Sequence, residues 1–384
     1  MSREEMRIVI RGDRPRIAVI RLGALGDCVY TFPLVSALKA RFPHSEITWV
    51  VEEQHQDVPR LHPGVNEVIA IETKGWRRDF RVGRLRELAE GVVALRRSFA
   101  ARDFEIALDP QGLIKSGVIG WLSRAPVRVG FGSAACRERG NTFFTTHRIN
   151  APVDGHIVRK NLSLLAPFGI RVERPDFGIH LSQDAKAKIR SLHQQVVIGR
   201  DDRLVGIHPG VGHPRKRWDA VRYAKVGDQL HEQKGVRVIL TAGPGEEAMV
   251  RQVASQMRSA PVVMPPLRVG ELAALLSQYD LLIAGDTGPL HLAAAMGCRT
   301  VAIYGPSDPI RVAPFGEEHW VLKKACPCGW TPELHFNRHC AAVPCLEAIT
   351  TEEVVLAAKA LLERPSAVIG GCRGLSPGTQ TILR

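Results

Sequence analysis

Residues 281–292 decide the fold, and they read Leu-Leu-Ile-Ala-Gly-Asp-Thr-Gly-Pro-Leu-His-Leu. The apolar run Leu281–Ala284 predicts a buried strand. Turn residues follow it, and an apolar stretch from about Leu290 to Met296 predicts a helix. A strand, a glycine-containing turn and a helix in this order form part of a βαβ unit, which is the building block of a parallel sheet.

The same alternation of strand and helix runs through both halves of the chain. The first half has short apolar runs such as Ile17–Ile20 and Ile47–Val51, separated by helical stretches. The pattern starts again at Leu204–Ile207 and continues to Thr300–Ile303. We therefore expect an α/β protein with two Rossmann-like domains and a ligand cleft between them, near the carboxyl ends of the strands.

The length of 384 residues suits two domains. The polar segment from about Pro175 to Asp202 is expected to connect them. This places the predicted domains at residues 1–180 and 181–365. Residues 366–384 are rich in Gly, Ser and Thr without periodicity, so we expect a disordered tail there.

The formal net charge of +13 favours anionic partners such as acidic lipid, nucleic acid or a nucleotide sugar. No recognisable nucleic-acid module accompanies the charge, so we do not expect nucleic acid as a partner. The sequence has no apolar run of about 18 residues and no signal peptide. We therefore expect a cytoplasmic protein whose membrane contact, if any, is peripheral.

Four of the eight cysteines cluster in the pattern C-x-C-x11-C-x4-C, at Cys326, Cys328, Cys340 and Cys345. Zinc ligands usually have two or more residues between the members of a pair. The spacing therefore favours free buried thiols, and we predict no metal site.

Loops that follow predicted strands carry candidate ligand-binding groups. Leu22-Gly-Ala-Leu-Gly-Asp27 places Asp27 at a helix start, either as a functional carboxylate or as an ordinary first-turn acid. The basic triplet Arg215–Arg217 is suited either to a diphosphate or to solvent. In the 281–292 stretch, the N–H groups of Thr287 and Gly288 suit an anion, whereas His291 faces either the ligand or the core.

A basic run extends from Lys74 to Arg102, with nine basic and three acidic residues. Such a run is usually a solvated face. The functional alternative is a binding site for a phosphorylated or carboxylated acceptor, with Trp76 as the partner of a sugar ring.

Taken together, these motifs resemble the lipopolysaccharide heptosyltransferases of glycosyltransferase family 9, from about Arg16 to Glu363. The landmarks of the resemblance are Leu25-Gly-Asp27, Trp49–Glu53, Asp109–Ser116, Lys216-Arg-Trp218, Gly285–Gly288 with His291, and Tyr304–Asp308. The resemblance implies the GT-B fold, an inverting mechanism, and no required metal or cofactor.

The resemblance also implies roles for individual residues. Asp27 matches the proposed general base. The matches to donor-binding residues are Lys216 at the phosphate, Asp286 at the sugar, Thr287, Gly288 and His291 at the diphosphate, Glu246 at the ribose and Leu267 at the adenine. The residues assigned to acceptor binding are Lys74, Arg77, Arg78, Arg81 and Lys115.

The chain departs from the family pattern at Val211 and Gly212, where a well-known member has two threonines. The loss of two hydroxyl donors leaves Arg215 or backbone N–H groups to compensate in binding the donor phosphate.

The implied activity is transfer of heptose from ADP-heptose to Kdo or heptose on the lipid A–core glycolipid, at the inner membrane surface. Domain closure is expected to exclude water. Two alternatives stay open at the level of sequence. One is another GT-B enzyme such as a nucleotide-sugar epimerase, and the other is a non-catalytic protein that binds the membrane surface.

Overall fold

The computed structural model describes residues 8, 10, 12–73, 75–76, 78, 82–153, 155–196, 198–199, 202–325, 343–364 and 381–383. The chain divides into two compact units, Met1–His180 and Leu181–Arg384. Within the described residues, no helix is long and apolar enough to cross a membrane.

The first unit is built on a parallel sheet of six strands in the spatial order β3-β2-β1-β4-β5-β6. The strands are β1 Arg16–Ile20, β2 Glu46–Glu52, β3 Glu67–Ile71, β4 Ile106–Leu108, β5 Val127–Phe131 and β6 His147–Ile149. The helices are α1 Leu25–Val29, α2 Phe32–Arg41, α3 Leu85–Ala100, α4 Ile114–Leu122 and α5 Ile157–Leu162. This strand order is that of the doubly wound nucleotide-binding fold.

The second unit repeats this topology with one additional edge strand, in the order β13-β12-β11-β10-β7-β8-β9. The strands are β7 Arg203–His208, β8 Val236–Leu240, β9 Val262–Val263, β10 Leu281–Gly285, β11 Arg299–Tyr304, β12 His319–Lys323 and β13 Thr381–Leu383. The helices are α6 Gln183–Gln195, α7 Ala220–His231, α8 Glu247–Gln256, α9 Val269–Leu276, α10 Gly288–Ala295, α11 Pro309–Val312, α12 Pro344–Glu347 and α13 Thr351–Glu363.

The central strands are buried on both faces because helices cover both sides of each sheet. In β1, the four residues Ile17–Ile20 have no exposed surface, and the same is true of Leu281–Ala284 in β10. A parallel strand in this position needs apolar side chains on both faces. This requirement explains why the sequence shows continuous apolar runs rather than alternation.

Residues 381–383 differ from the expected disordered tail. They form β13, which pairs in parallel with β12 through Trp320 and Thr381. Thr and Ile are β-branched residues that suit the edge of a sheet. Residues 366–380 and 384 of the predicted tail lie outside the described residues.

A buried histidine joins α2 to the segment that ends the first unit. The Nε2 atom of His62 lies 2.8 Å from the Ser36 hydroxyl, and Nδ1 accepts the Gly64 N–H at 3.0 Å. Gly178 lies directly against the ring, because a Cβ there would come within 2.6 Å of Nε2. Burial lowers the pKa of His62 to about 4. The negative charge of Asp176 raises this pKa, but its effect is smaller than that of burial.

This histidine predicts a pH dependence of stability. Below pH 6.5 the unfolded chain protonates His62, whereas the folded chain does so only near pH 4. The stability present above pH 6.5 is therefore lost as the pH falls through this window. We expect the melting temperature of the wild type to fall more steeply across this window than that of a His62→Gln variant. The exposed His44, changed to Gln, is the matched control, and equal slopes for all three proteins would contradict the assignment.

Candidate functional site

Each sheet has a point at which the chain reverses its direction of winding, and ligands bind there in folds of this class. In the first unit this point lies between β1 and β4, and in the second unit between β7 and β10. The predicted site residues follow three of these strands. Asp27 follows β1, Lys216 follows β7, and Asp286 follows β10.

The carboxylate of Asp286 is the centre of a buried cluster in the second unit. Its side chain is 8% exposed, and Lys216 Nζ lies 2.5 Å from Oδ2. The ring of His291 lies 3.2 Å from Oδ1, and the Ser307 hydroxyl donates to Oδ2 at 2.5 Å. The structure thus brings together three residues that the sequence analysis assigned to the donor, and it adds Ser307.

The charge state of this cluster follows from its contacts. Burial on its own would raise the pKa of Asp286. The hydrogen bond with His291 and the positive charge of Lys216 outweigh burial, and they hold this pKa well below its usual range. Asp286 is therefore an anion that is fully formed at neutral pH.

Local packing determines where Lys216 lies. Trp218, two residues later, is buried against Tyr223 with ring centroids 4.9 Å apart, and its indole N–H donates to the Ile349 carbonyl at 3.3 Å. On the other side, a Cβ on Gly285 would lie 3.3 Å from the Lys216 carbonyl oxygen. The loop after β7 therefore approaches the end of β10 closely.

Val211, one of the two departures from the family pattern, belongs to this packing. It is buried, and a Cβ on Gly285 would come within 2.9 Å of its side chain. Gly212 is exposed. The apolar residue at 211 thus fills space beside Gly285.

The start of α10 lies directly after Asp286. Thr287 is the N-cap residue with extended backbone, and its hydroxyl does not cap the helix. Gly288 is the first helical residue and Pro289, which has no N–H, is the second. The unpaired N–H groups of a first helical turn attract anions, so this turn suits a phosphate.

Glu246 forms a second cluster at the ends of β7 and β8. Its Oε2 atom accepts the Gly243 N–H at 2.8 Å and lies 3.2 Å from Nε2 of the buried His208. Burial opposes ionisation, but the adjacent His208 ring, the Gly243 N–H and the Arg217 charge together outweigh it and lower the pKa of Glu246. Gly210 is required here, because a Cβ would lie 1.9 Å from the carboxylate.

A cavity of about 680 Å³ adjoins Glu246, within the size range of small-molecule sites. Its lining includes Arg217, Trp218, Arg222, Met249, Gln252 and Leu346. The predicted adenine contact Leu267 is half-buried in the turn between β9 and α9.

Asp27 is held by a buried guanidinium in the first unit. Its side chain is 37% exposed, and Oδ1 pairs at 2.6 Å with Arg21, whose side chain is 6% exposed. Oδ2 accepts the Ala24 N–H at 3.3 Å. Arg21 also donates to the Pro110 carbonyl at 2.7 Å. The ion pair of Oδ1 with Arg21 therefore orients the carboxylate, whereas Oδ2 has only the long hydrogen bond from the Ala24 N–H.

Two further networks support the same end of the sheet. Glu52 closes β2, accepts the Thr73 N–H at 3.1 Å and pairs with Lys115 at 3.2 Å. Asp109 is buried, and burial raises the pKa of its carboxyl group. Its Oδ2 atom accepts a hydrogen bond from the Asn141 side-chain amide at 2.6 Å. These contacts place Lys115, assigned to the acceptor, beside a buried carboxylate.

The basic run is only partly described. Lys74, Arg77 and Arg81 lie outside the described residues, and Arg78 is exposed.

Arg102 belongs to the fold rather than to a binding surface, because it pairs with Glu67 at 2.6 Å. Trp76 packs against α3, where a Cβ on Gly91 would lie 2.7 Å from its indole nitrogen.

The cysteine cluster is described at one position. Cys345 is buried on α12, whereas Cys326, Cys328 and Cys340 lie outside the described residues. The part of the chain that is described contains no group of three or more potential ligands placed to hold a metal ion.

Sequence reasoning missed Arg21, Ser307 and the pairing of His208 with Glu246. The available signal for Arg21 was its position, because a basic residue that directly follows the apolar strand β1 lies at the carboxyl end of the sheet. Ser307 lies in a stretch that reads as an ordinary turn.

Comparison with known proteins places the chain in a family. A family model described as glycosyltransferase family 9 (heptosyltransferase) matches residues 92–336. The lipopolysaccharide core heptosyltransferase OpsX of Haemophilus influenzae is 23% identical over 302 residues, covering 78% of this chain and 81% of OpsX.

Two solved structures show the same fold. The glycosyl transferase family 9 structure from Veillonella parvula matches with a TM-score of 0.80 and 26% identity, covering 92% of this chain and 99% of that one. The E. coli heptosyltransferase WaaC with ADP-2-deoxy-2-fluoro heptose matches with a TM-score of 0.70 and 20% identity, covering 90% of this chain and 99% of WaaC. These matches and the two parallel sheets confirm the predicted α/β, GT-B fold. The chain belongs to glycosyltransferase family 9, the heptosyltransferase family.

Proposed function

We propose that this glycosyltransferase moves heptose from ADP-heptose to Kdo or heptose in the inner core of lipopolysaccharide, with inversion at the anomeric carbon. The observation that carries the proposal is the cluster of Lys216, Asp286 and His291 beside the start of α10. Its support from relatives is that OpsX is a lipopolysaccharide core heptosyltransferase and that WaaC was solved with an ADP-heptose analogue.

The donor diphosphate binds at the start of α10. The Gly288 N–H and the Thr287 hydroxyl donate to phosphate oxygens, and Lys216 supplies a positive charge. These groups stabilise the negative charge that develops on ADP as it leaves. Glu246 binds the ribose and Leu267 contacts the adenine.

Lys216 is paired with Asp286 at 2.5 Å. An ammonium group has three donors, so it can contact a phosphate oxygen while keeping its bond to Asp286. The carboxylate of Asp286 retains acceptor positions for hydroxyl groups of the donor sugar. His291 and Ser307 keep that carboxylate in place during binding.

Asp27 is the general base. Its Oδ2 atom takes the proton from the acceptor hydroxyl as the hydroxyl oxygen bonds to the anomeric carbon. The bond between that carbon and the phosphate oxygen breaks, and ADP leaves with the electron pair. A single displacement of this kind inverts the anomeric centre, and it requires no metal ion or cofactor.

The acceptor is an anionic glycolipid, so basic side chains of the first unit bind its carboxylates and phosphates. Lys115 is one of them, and Lys74, Arg77, Arg78 and Arg81 are the others. Because the acceptor is lipid-anchored, the enzyme works in the cytoplasm as a peripheral protein of the inner membrane.

The proposal is tested with purified protein, ADP-heptose and a Kdo-terminated lipid A acceptor. ADP release together with a heptose-sized gain in acceptor mass, only when acceptor is present, is the expected result. An epimerase would convert the donor without acceptor, and a binding protein would release no ADP. Either of these results would overturn the proposal.

The Asp27→Ala variant is expected to lower kcat by about 10²–10⁴-fold, the usual contribution of a general base. Donor affinity should stay unchanged, because Asp27 belongs to the acceptor unit. Turnover and ADP-heptose calorimetry measure the two effects. Asp57→Ala removes another exposed carboxylate of this unit and is the matched control. Near-normal turnover of Asp27→Ala would exclude this residue as the base.

The Lys216→Ala variant is expected to weaken ADP-heptose binding by about 10–100-fold, since a charge-assisted bond to phosphate is lost. Calorimetry measures the affinity. The melting temperature shows whether the fold tolerates the buried Asp286 carboxylate without its lysine partner. Lys225→Ala changes an exposed lysine on α7 as a control. Equal affinity of the two variants would rule out the phosphate role.

Charge reversal at Arg77, Arg78 and Arg81 is expected to raise the acceptor KM several-fold and leave the donor KM unchanged. Reversal of the exposed Arg171, Arg174 and Arg190 produces the same change in net charge. If both triple variants alter the acceptor KM equally, the run at 77–81 is a solvated face.

A further inference from the structure

Three large apolar side chains are exposed on α4 and on the adjoining 3₁₀ turn Arg139–Phe144. The exposed fractions are 46% for Ile114, 54% for Trp121 and 84% for Phe143. We call these residues the Trp121 surface. Exposed apolar groups that lie together mark a site of interaction.

The three side chains lie on two elements that pack against each other. Ile114 and Trp121 are seven residues apart on α4, so they lie on one face, about 10 Å apart along the axis. The 3₁₀ turn runs alongside this face. A Cβ on Gly140 would lie 2.9 Å from Ile114, and a Cβ on Gly117 would lie 3.0 Å from Phe144. The turn that carries Phe143 is therefore packed against α4 at Ile114 and Gly117.

Partly buried hydrogen bonds hold the surface in a fixed shape. Arg128 donates to the Phe144 carbonyl at 2.8 Å and to the Ala125 carbonyl at 2.7 Å. Asn141 donates to the Leu113 carbonyl at 2.7 Å. These bonds join the turn to the segments at both ends of α4. Because the turn is already fixed, binding of a partner would not cost free energy to order it.

The charge around the surface is strongly positive. Residues 111–150 contain six basic residues, Lys115, Arg124, Arg128, Arg137, Arg139 and Arg148, and one acidic residue, Glu138. Four of these arginines, all except Arg128, are exposed. The Glu138 carboxylate accepts the Ile114 N–H at 2.7 Å, at the start of α4. The segment that carries the apolar side chains is thus rich in exposed cations.

We propose that the Trp121 surface docks on an anionic lipid bilayer. Aromatic side chains settle at the headgroup level of a bilayer, and arginines attract anionic lipids. The proposal rests on the proposed function in one respect, since it explains how the enzyme reaches a lipid-anchored acceptor. Lys115 follows Ile114 directly and pairs with Glu52 at the end of β2. Docking would therefore bring the acceptor-binding end of this sheet to the membrane.

The test is sedimentation of the full chain with vesicles. One set consists of phosphatidylcholine alone, and the other contains phosphatidylglycerol as well. We expect the wild type to bind the anionic vesicles, and the Trp121→Ser, Phe143→Ser double variant to bind them at least about tenfold more weakly. The control is the double variant Val263→Ser, Leu356→Ser, which removes exposed apolar side chains from the second unit and should bind like the wild type.

Equal vesicle binding by the Trp121/Phe143 variant and the wild type would overturn the proposal. Absence of vesicle binding by the wild type would also overturn the proposal. That result would favour a protein partner at the Trp121 surface instead. Melting temperatures show whether each variant is folded.

Activity assays separate this proposal from the proposed function. The Trp121/Phe143 variant should use a short-chain, water-soluble Kdo acceptor like the wild type but lose turnover on acceptor embedded in vesicles. If the wild type transfers to neither acceptor, the proposed function fails, while vesicle binding still decides the docking surface.

Discussion

The burial of the Asp286 carboxylate is the constraint on which the donor site depends. A carboxylate that is only 8% exposed must be paired, because an isolated buried charge is very costly. Its partners come from the loops after β7 and β11 and from α10. The need to neutralise one buried anion therefore fixes three separate segments around the switch point of the second sheet. The same segments present the first turn of α10 and Lys216, which are the groups that suit a diphosphate.

The first unit uses the opposite arrangement at the corresponding place. There the buried ion is the Arg21 guanidinium, and its partners are the Pro110 carbonyl and Asp27. Because these partners follow β4 and β1, the guanidinium joins the two loops at the switch point of that sheet. The second carboxylate oxygen of Asp27 has only the long hydrogen bond from the Ala24 N–H. Two sheets of the same strand order thus hold a fixed anion in one unit and a fixed cation in the other.

The sequence predicted the strands well where burial alone determines them. Leu281–Ala284 and Ile17–Ile20 are apolar throughout because both faces of those strands are covered. It also selected Asp27, Lys216, Asp286 and His291 as candidate site residues, because they lie in recognisable motifs that follow strands. The structure brings the last three together, and the roles of all four in binding and catalysis stay predictions. Their partners were harder to predict: Ser307 is 21 residues from Asp286 along the chain, so only the folded sheet shows the contact.

The contacts of Arg102 and Trp76 could not be predicted from the sequence for the same reason. Both lie in a run that resembles a solvated or ligand-binding face, yet Arg102 pairs with Glu67, 35 residues away. Trp76 packs on Gly91 of α3. Such tertiary partners override the local charge pattern.

The central chemical proposal is a single displacement, with Asp27 as the base and the diphosphate of the donor bound at the start of α10. The anomeric configuration of the transferred sugar tests this claim most directly. NMR of the purified glycolipid, compared with the donor, measures it. The account predicts that the new glycosidic bond has the configuration opposite to that of the donor. Retention of the donor configuration would contradict the account, because it requires a covalent or front-face intermediate that a single base does not provide.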